Sequence, residues 1–360
     1  MYCKKCGVHN VDSAKFCKEC GSPLSSETSS DNGNRKKTSG KGVYYIIGAI
    51  VLLGAVIAAV FIGVQAKKTK EYAGYLEEAE KYIAEVNYAE AKEYYLKAIE
   101  VAPKKLKPYV ELAKVYMEEN ETEKAVEILK EAEEHDATDE PGVIAEKDEI
   151  LETFERYKAY AEKIKEYEAT YGAPAKGIEE WGMQYTTGFC YADMVDFAQT
   201  GKEQLLMVYH IYSEEGYDDY VFEVWDYQNE DLIQLDSGSL WWTDGGVPIL
   251  EIVEIDGMKY IESGGAAGQD YYNEYHGFSD NGFGIVKTLE LYVSWDEEEE
   301  YECYIDGEAV AYDEFQKVEE KWFGVSDNME SVYFCNEYEE LRSLMDDIKE
   351  KLHPFLNLVL

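Results

Sequence analysis

The chain has 360 residues and carries 34 lysines and arginines against 75 aspartates and glutamates, a net charge of -41. That length allows two or three domains, and the acidic surplus is uneven: residues 1–42 hold eight basic and four acidic groups, leaving 26 basic and 71 acidic groups for the rest. So acidic a body repels phosphate backbones, which argues against nucleic acid as its partner.

Four of the seven cysteines fall within the first twenty residues, as Cys3-Lys4-Lys5-Cys6-Gly7 and Cys17-Lys18-Glu19-Cys20-Gly21. Two residues between paired thiolates let each pair wrap one tetrahedral ion, and the glycine after each pair permits a turn that aims backbone N–H groups at the sulfurs. With four sulfur ligands no position remains for a reactive water. Cys3, Cys6, Cys17 and Cys20 are therefore expected to hold one structural Zn²⁺. Two disulfides would suit a small secreted domain instead, but nothing like a signal peptide precedes these cysteines. The stretch resembles the short zinc ribbon that opens many bacterial membrane proteins, including the Phe16-Cys17 step before the second knuckle. Lysine stands where that family often has proline, and the ligands are untouched. The ribbon is assigned to residues 1–24; a module this small cannot bury a useful core, so metal binding of about 10 kcal/mol or more would supply its fold.

Ser22 to Gly42 is rich in Ser, Gly, Asn and Thr without hydrophobic period, and residues 25–42 read as a flexible linker. Residues 43–64, from Val43 to Val64, are uncharged and almost wholly apolar. As a helix this segment would be about 33 Å long against a hydrocarbon core of roughly 30 Å, so a transmembrane helix is expected, with Tyr44 and Tyr45 at the interface. A core helix and a signal peptide ending at Val64-Gln65-Ala66 are the alternatives; the length of the apolar run and the head before it argue for an uncleaved anchor. Arg35, Lys36, Lys37 and Lys41 precede the span while Lys67, Lys68 and Lys70 follow it, a slight bias toward a cytoplasmic amino terminus. Metal-bound thiolates favour the same reducing side. The expectation is a single-pass cell-membrane protein with a cytoplasmic ribbon, residues 43–64 in the bilayer and residues 67–360 extracytoplasmic.

After the span, residues recur at an interval of 34: Tyr75 with Tyr109, Ala79 with Ala113, Tyr82 with Tyr116, Ala91 with Ala125, Ala98 with Ala132. Over about residues 72–139 the chain resembles tetratricopeptide repeats. Tyr82 and Tyr95 would fill the space between antiparallel helices, Asn87 with Glu90 has the form of a capping box, and Pro103 falls at the turn between units. The second unit departs from the pattern, with Leu129 in place of the aromatic and Ala137 in place of the proline. A helix from Val143 to Tyr171 is expected to cap the pair, closing a helical region at 67–171. The resemblance implies a protein or peptide partner at 72–139.

Beyond Gly172 the grammar is strand and turn. Expected strands are Gln204 to Tyr212, Tyr220 to Tyr227, Leu232 to Leu235, Pro248 to Ile255, Lys259 to Glu262 and Ile285 to Trp295, with hairpin turns at Asp256-Gly257 and Asp306-Gly307. Helical spacing returns from Tyr312 to Trp322 and from Glu337 to Leu352. Residues 172–360 thus read as an α+β domain with mainly antiparallel sheet, and the whole chain as multidomain. Asp196 to Leu205 resembles the aspartate-rich calcium loops of some bacterial repeat proteins, but Ala198 and a lone Thr200 leave too few oxygens, so it reads as a turn without its cation. Ser263 to Gly268 reads as a loop, and Glu297 to Glu300 as a solvated acidic loop.

All six tryptophans lie here, at Trp181, Trp225, Trp241, Trp242, Trp295 and Trp322. Most should be core, although one of Trp241 and Trp242 could face outward and offer a platform to a cell-wall glycan. The five histidines, His9, His135, His210, His276 and His353, show no metal-ligand spacing, and no phosphate loop, nucleophile elbow or zinc-protease motif is present. No residue is singled out as catalytic. The expected function is a non-enzymatic, membrane-anchored binding or scaffolding protein of the bacterial cell envelope. The alternative is an envelope enzyme, such as a glycan hydrolase, with dispersed carboxylates in 172–360.

Overall fold

The computed structural model describes residues 1–24, 41–180, 183–212, 218–240, 248–267, 270–294, 301–322 and 329–356, with backbone alone for 41–49, 178–180, 212, 218 and 266–267. The linker at 25–40, the side chains of Tyr44 and Tyr45, Trp181, Trp241, Trp242, Trp295 and the run Glu297 to Glu300 lie outside the described residues. The chain divides into two compact units, Met1–Lys67 and Lys68–Leu360.

In the first unit, two knuckles fold the ribbon, closed by the bridges Tyr2 to His9 and Phe16 to Pro23. Helix α1 follows, Lys41–Ala84. No break separates the apolar segment from the first repeat helix, because no proline or glycine interrupts residues 64–73 and straight-chain Lys and Glu propagate a helix well. Its stretch from Ile50 has a mean hydropathy of 2.2 in the best window, none of it buried. Ile50, Val51, Leu52 and Leu53, about 100° apart in turn, point to every side of the helix, each 62–68% exposed. This helix is long and apolar enough to cross a membrane.

In the second unit, the C-terminal part of α1 begins a helical stack continued by α2 (Tyr88–Val101), α3 (Lys107–Glu118), α4 (Thr122–Glu134) and α5 (Pro141–Tyr171). Ala79, Ala91, Ala113, Ala125 and Ala132, each at most 1% exposed, let the helices approach, and Tyr95, Tyr109 and Phe154 fill the space between them. The 34-residue period holds at the level of single hydrogen bonds. Val86 N–H donates to Ile83 and Asn87 N–H to Tyr82, just as Asn120 N–H donates to Met117 and Glu121 N–H to Tyr116. The turn residues Val86 and Asn120 are both left-handed, at φ 55° and 56°. Asn87 precedes α2, but its side chain makes no capping bond, so the expected capping box does not form.

The strands are β1 (Ala175–Glu180), β2 (Met183–Thr187), β3 (Phe189–Val195), β4 (Gln204–Tyr212), β5 (Asp218–Gln228), β6 (Asp231–Leu240), β7 (Ile249–Ile255), β8 (Met258–Ala267), β9 (Asp270–Ser279), β10 (Gly282–Val293), β11 (Tyr301–Ile305), β12 (Glu308–Val310) and β13 (Met329–Tyr333). Strands β1 and β2 form a small ribbon, β3-β4-β5-β6 a four-stranded sheet, and β12-β11-β10-β9-β8-β7-β13 a seven-stranded one. Among the described residues all these strand pairs are antiparallel.

Three apolar clusters stack the layers. Phe197, Leu206, Val208 and Phe222 of the smaller sheet and its loop meet Leu250, Ile252, Ile261 and Phe334 on the larger sheet and its flank. The outer face of the smaller sheet is covered by Tyr160 and Ile164 of α5 and by Met345, Ile348 and Leu352 of α7 (Tyr338–Leu352). The outer face of the larger sheet is covered by Phe315 of α6 (Tyr312–Trp322). Residues Asp256-Gly257 and Asp306-Gly307 make left-handed hairpin turns, as their sequence requires.

Two further readings change. The boundary expected at 171/172 falls inside one compact unit, because α5 is shared: Ile150 and Phe154 pack in the repeat core while Tyr160, Ala161 and Ile164 pack on the sheet. Most of the stretch read as a glycine loop, Ser263 to Ala267, is the end of β8. A Cβ on Gly264 would overlap the Asn273 side chain and the Tyr272 carbonyl on β9, so glycine serves close strand approach here.

Candidate metal centre

The ribbon is built twice, with an offset of fourteen residues. In the first half Cys3 N–H donates to the Val8 carbonyl at 2.9 Å and Gly7 N–H to the Cys3 carbonyl at 2.8 Å; in the second Cys17 N–H donates to Ser22 at 2.7 Å and Gly21 N–H to Cys17 at 3.0 Å. Gly7 and Gly21 sit at φ 73° and 63°, conformations that a side chain would strain. Each knuckle thereby exposes one cysteine, Cys6 or Cys20, and buries the other, Cys3 or Cys17.

The two halves bring the four sulfurs within 4.8 Å of one another. Cys3 Sγ lies 3.5 Å from Cys20 Sγ and Cys6 Sγ 3.5 Å from Cys17 Sγ. A tetrahedral zinc with sulfurs at about 2.3 Å requires edges of about 3.8 Å, so the four residues fit the ion once the sulfur separations adjust by up to about 1 Å. All four expected ligands are thus in one place, and they hold a structural Zn²⁺.

Electrostatics prepare the second knuckle for the ion. Backbone N–H groups of Cys20 and Glu19, with the Asn10 amide, hold the Cys17 thiol down at about 6, and Ser22 lowers that of Cys20. At Cys6 the Val8 amide acts in the same direction, but Cys20, Cys17 and Cys3 outweigh it and push the thiol up to about 12. Four thiolates without a cation repel, and the bound metal relieves that repulsion.

One functional residue has no sequence signal. Asn10 is 3% exposed; its Nδ2 donates to Cys17 Sγ at 3.4 Å and to the Val8 carbonyl at 2.8 Å, while its Oδ1 accepts from Lys18 N–H at 2.8 Å. It ties the first knuckle to the second and orients a ligand.

The other cysteines, Cys190, Cys303 and Cys335, are free and buried, and burial raises their thiols, so they are inert core residues. The two described tryptophans serve packing. Trp225 donates to Glu223 at 2.8 Å beneath Lys163, and Trp322 lies against Tyr260 and Tyr275. At the degenerate calcium loop, the Asp196 carboxylate accepts from Thr200 N–H at 3.0 Å and Gly201 N–H at 2.6 Å, using its oxygens as a turn cap.

Comparison with known proteins bears on two segments of the chain. Residues 2–24 match the zinc-ribbon domain family and residues 82–143 match the tetratricopeptide repeat family. No curated protein and no solved structure gives a significant match. The chain therefore joins a segment similar to zinc ribbons and a segment similar to tetratricopeptide repeats to a strand-rich region that these matches leave uncovered.

Proposed function

We propose that this chain is a single-pass, membrane-anchored binding or scaffolding protein of the bacterial cell envelope, without enzymatic activity of its own. The observation that carries the reading is α1: large apolar side chains exposed around its whole circumference from Ile50 to Val64 would aggregate in water and are at home in lipid. The zinc ribbon faces the reducing cytoplasm, which keeps its thiolates available to the metal, and residues 67–360 lie outside. The tetratricopeptide-like hairpins at 72–139 bind a protein or peptide, and the acidic body is placed to meet cell-wall glycans.

The test is fractionation and protease shaving of intact bacteria carrying the full chain with an epitope at each end. The protein is expected in the membrane fraction, with its C-terminal epitope digested and its N-terminal epitope protected. Recovery in the soluble fraction, or the reverse pattern of protection, contradicts the reading.

A further inference from the structure

The two faces of the larger sheet differ. One face of β9, β10 and β11 packs against α6 through Tyr275, Leu289, Leu291 and Cys303. Strand alternation places Tyr272, Glu290, Tyr292, Glu302 and Tyr304 on the other. Among the described residues, none on this second face belongs to an apolar cluster of the body. Tyr292 is 42% exposed and Glu302 is exposed, while Tyr272, Glu290 and Tyr304 are half-buried.

Register makes this face a chequerboard of phenol rings and carboxylates. Glu290 pairs with Tyr272 on one side and Tyr304 on the other, and Tyr292 pairs with Glu302. Directly paired side chains stand about 5 Å apart, so each carboxylate has a ring beside it. Along the strands Tyr292 Oη donates to Glu290 Oε2 at 3.2 Å and Tyr304 Oη to Glu302 Oε2 at 3.5 Å. The rings of Tyr292 and Tyr304 lie 6.2 Å apart at 75°, forming an aromatic corner beside the two carboxylates.

That chemistry selects a cation. The carboxylates repel anionic ligands. In β9, β10, β11 and β12 the one lysine or arginine is Lys287, which reaches Asp306 at 2.6 Å and lies on the α6 side, over Trp322. A bare metal ion does not fit, because among the described residues the group whose ligand atoms converge on one point is the cysteine quartet. A guanidinium or ammonium on a flexible stem satisfies both halves of the face, its charge meeting a carboxylate and the negative side of a phenol ring. Glu290 and Glu302 are diagonal neighbours, roughly 7 Å apart. Alternate side chains of an extended peptide stand about 6.8 Å apart, a matching interval.

We propose that this face of β9–β11 binds an extended, lysine- or arginine-rich segment of another protein, its alternate basic side chains seated on Glu290 and Glu302 and packed against Tyr292 and Tyr304. The acidic body draws such a segment in, and the tyrosines hold it in register. The inference goes beyond the anchor reading and stands whether or not α1 inserts in a membrane.

The test is fluorescence anisotropy of a labelled octapeptide of alternating arginine and serine, titrated with the full-length, zinc-loaded protein in detergent micelles at about 0.15 M salt. Saturable binding of one peptide per chain is expected. Tyr292→Thr combined with Tyr304→Thr, which keeps charge and strand propensity, should weaken it about tenfold. Glu302→Gln should weaken it roughly threefold. Glu127→Gln, which removes an equal charge from an exposed position of α4, should leave it unchanged. Absence of saturable binding by a protein with native circular dichroism and zinc content would overturn the proposal. So would unchanged affinity in the tyrosine variant, or equal losses in Glu127→Gln and Glu302→Gln. Displacement of the peptide by spermine at lower concentration than by unlabelled peptide would assign the face to a free polyamine and overturn it too. Glu302 is exposed, so Glu302→Gln reads the face even if the tyrosine variant misfolds.

Discussion

The zinc ribbon and the body reach stability by different routes. Among the described residues of the ribbon, the fully buried apolar groups are Cys3 and Cys17, and the hairpins are held by a few backbone bonds around a metal. The body from Lys68 onward buries four apolar clusters, with Tyr95, Tyr109, Phe154, Phe222 and Phe315 each at most 1% exposed. The metal's binding energy is therefore folding energy in one part and irrelevant in the other. Chemistry that depends on four atoms is written in spacing, and packing that depends on area is spread over hundreds of residues.

Substitutions can break this contrast in order of size. Phe154→Ala, in the half of α5 that serves the repeat core, should cost the body about 3–5 kcal/mol while leaving zinc content unchanged, read by denaturant melts beside metal analysis. Asn10→Ala should do the reverse, weakening zinc affinity by about 10–100-fold in a chelator competition while the body's melt stays put.

The body also has a pH dependence that the ribbon does not share. Burial, and then the charge of its cross-strand neighbour Glu251, pushes Glu262 from 4.5 up to about 8. The folded body thus keeps a proton that the unfolded chain releases near pH 4.5. Stability from this group is full below that pH and declines as pH rises toward 8. Glu262→Gln should flatten the decline in melts taken between those limits, and an unaltered slope would count against it.

The smallest effect is at the first repeat turn. Val86 adopts φ 55° while 70% exposed, a strained state for a β-branched residue, whereas Asn120 occupies the equivalent turn 34 residues later. Val86→Gly should raise the body's stability by about 1 kcal/mol in the same melts.

The cysteine quartet was legible because two-residue spacing marks each knuckle and two such knuckles a short spacer apart supply the four sulfurs of one tetrahedral site. Asn10 was not, since its role exists only once the hairpins pair. Strands bounded by Asp256-Gly257 or Asp306-Gly307 were legible from their turns. The β5–β6 hairpin turns instead at Asn229-Glu230, both left-handed at φ 53° and 68°, with no glycine to announce it. Strand β9 was missed because its Asp, Asn, His and Gly residues dilute the apolar alternation that marks a strand. A cleft beside Arg156 was invisible in sequence, because Arg156 of α5 and Asp226 of β5 are 70 residues apart in the chain and meet only through folding.

The most direct test is hydrogen–deuterium exchange on the full-length protein in micelles, with and without a zinc chelator, beside metal analysis. One zinc per chain is expected, with protection lost on chelation throughout residues 1–24 and retained from Lys68 onward. A metal-free protein with a protected ribbon, or loss of protection reaching into the sheets, would contradict the account.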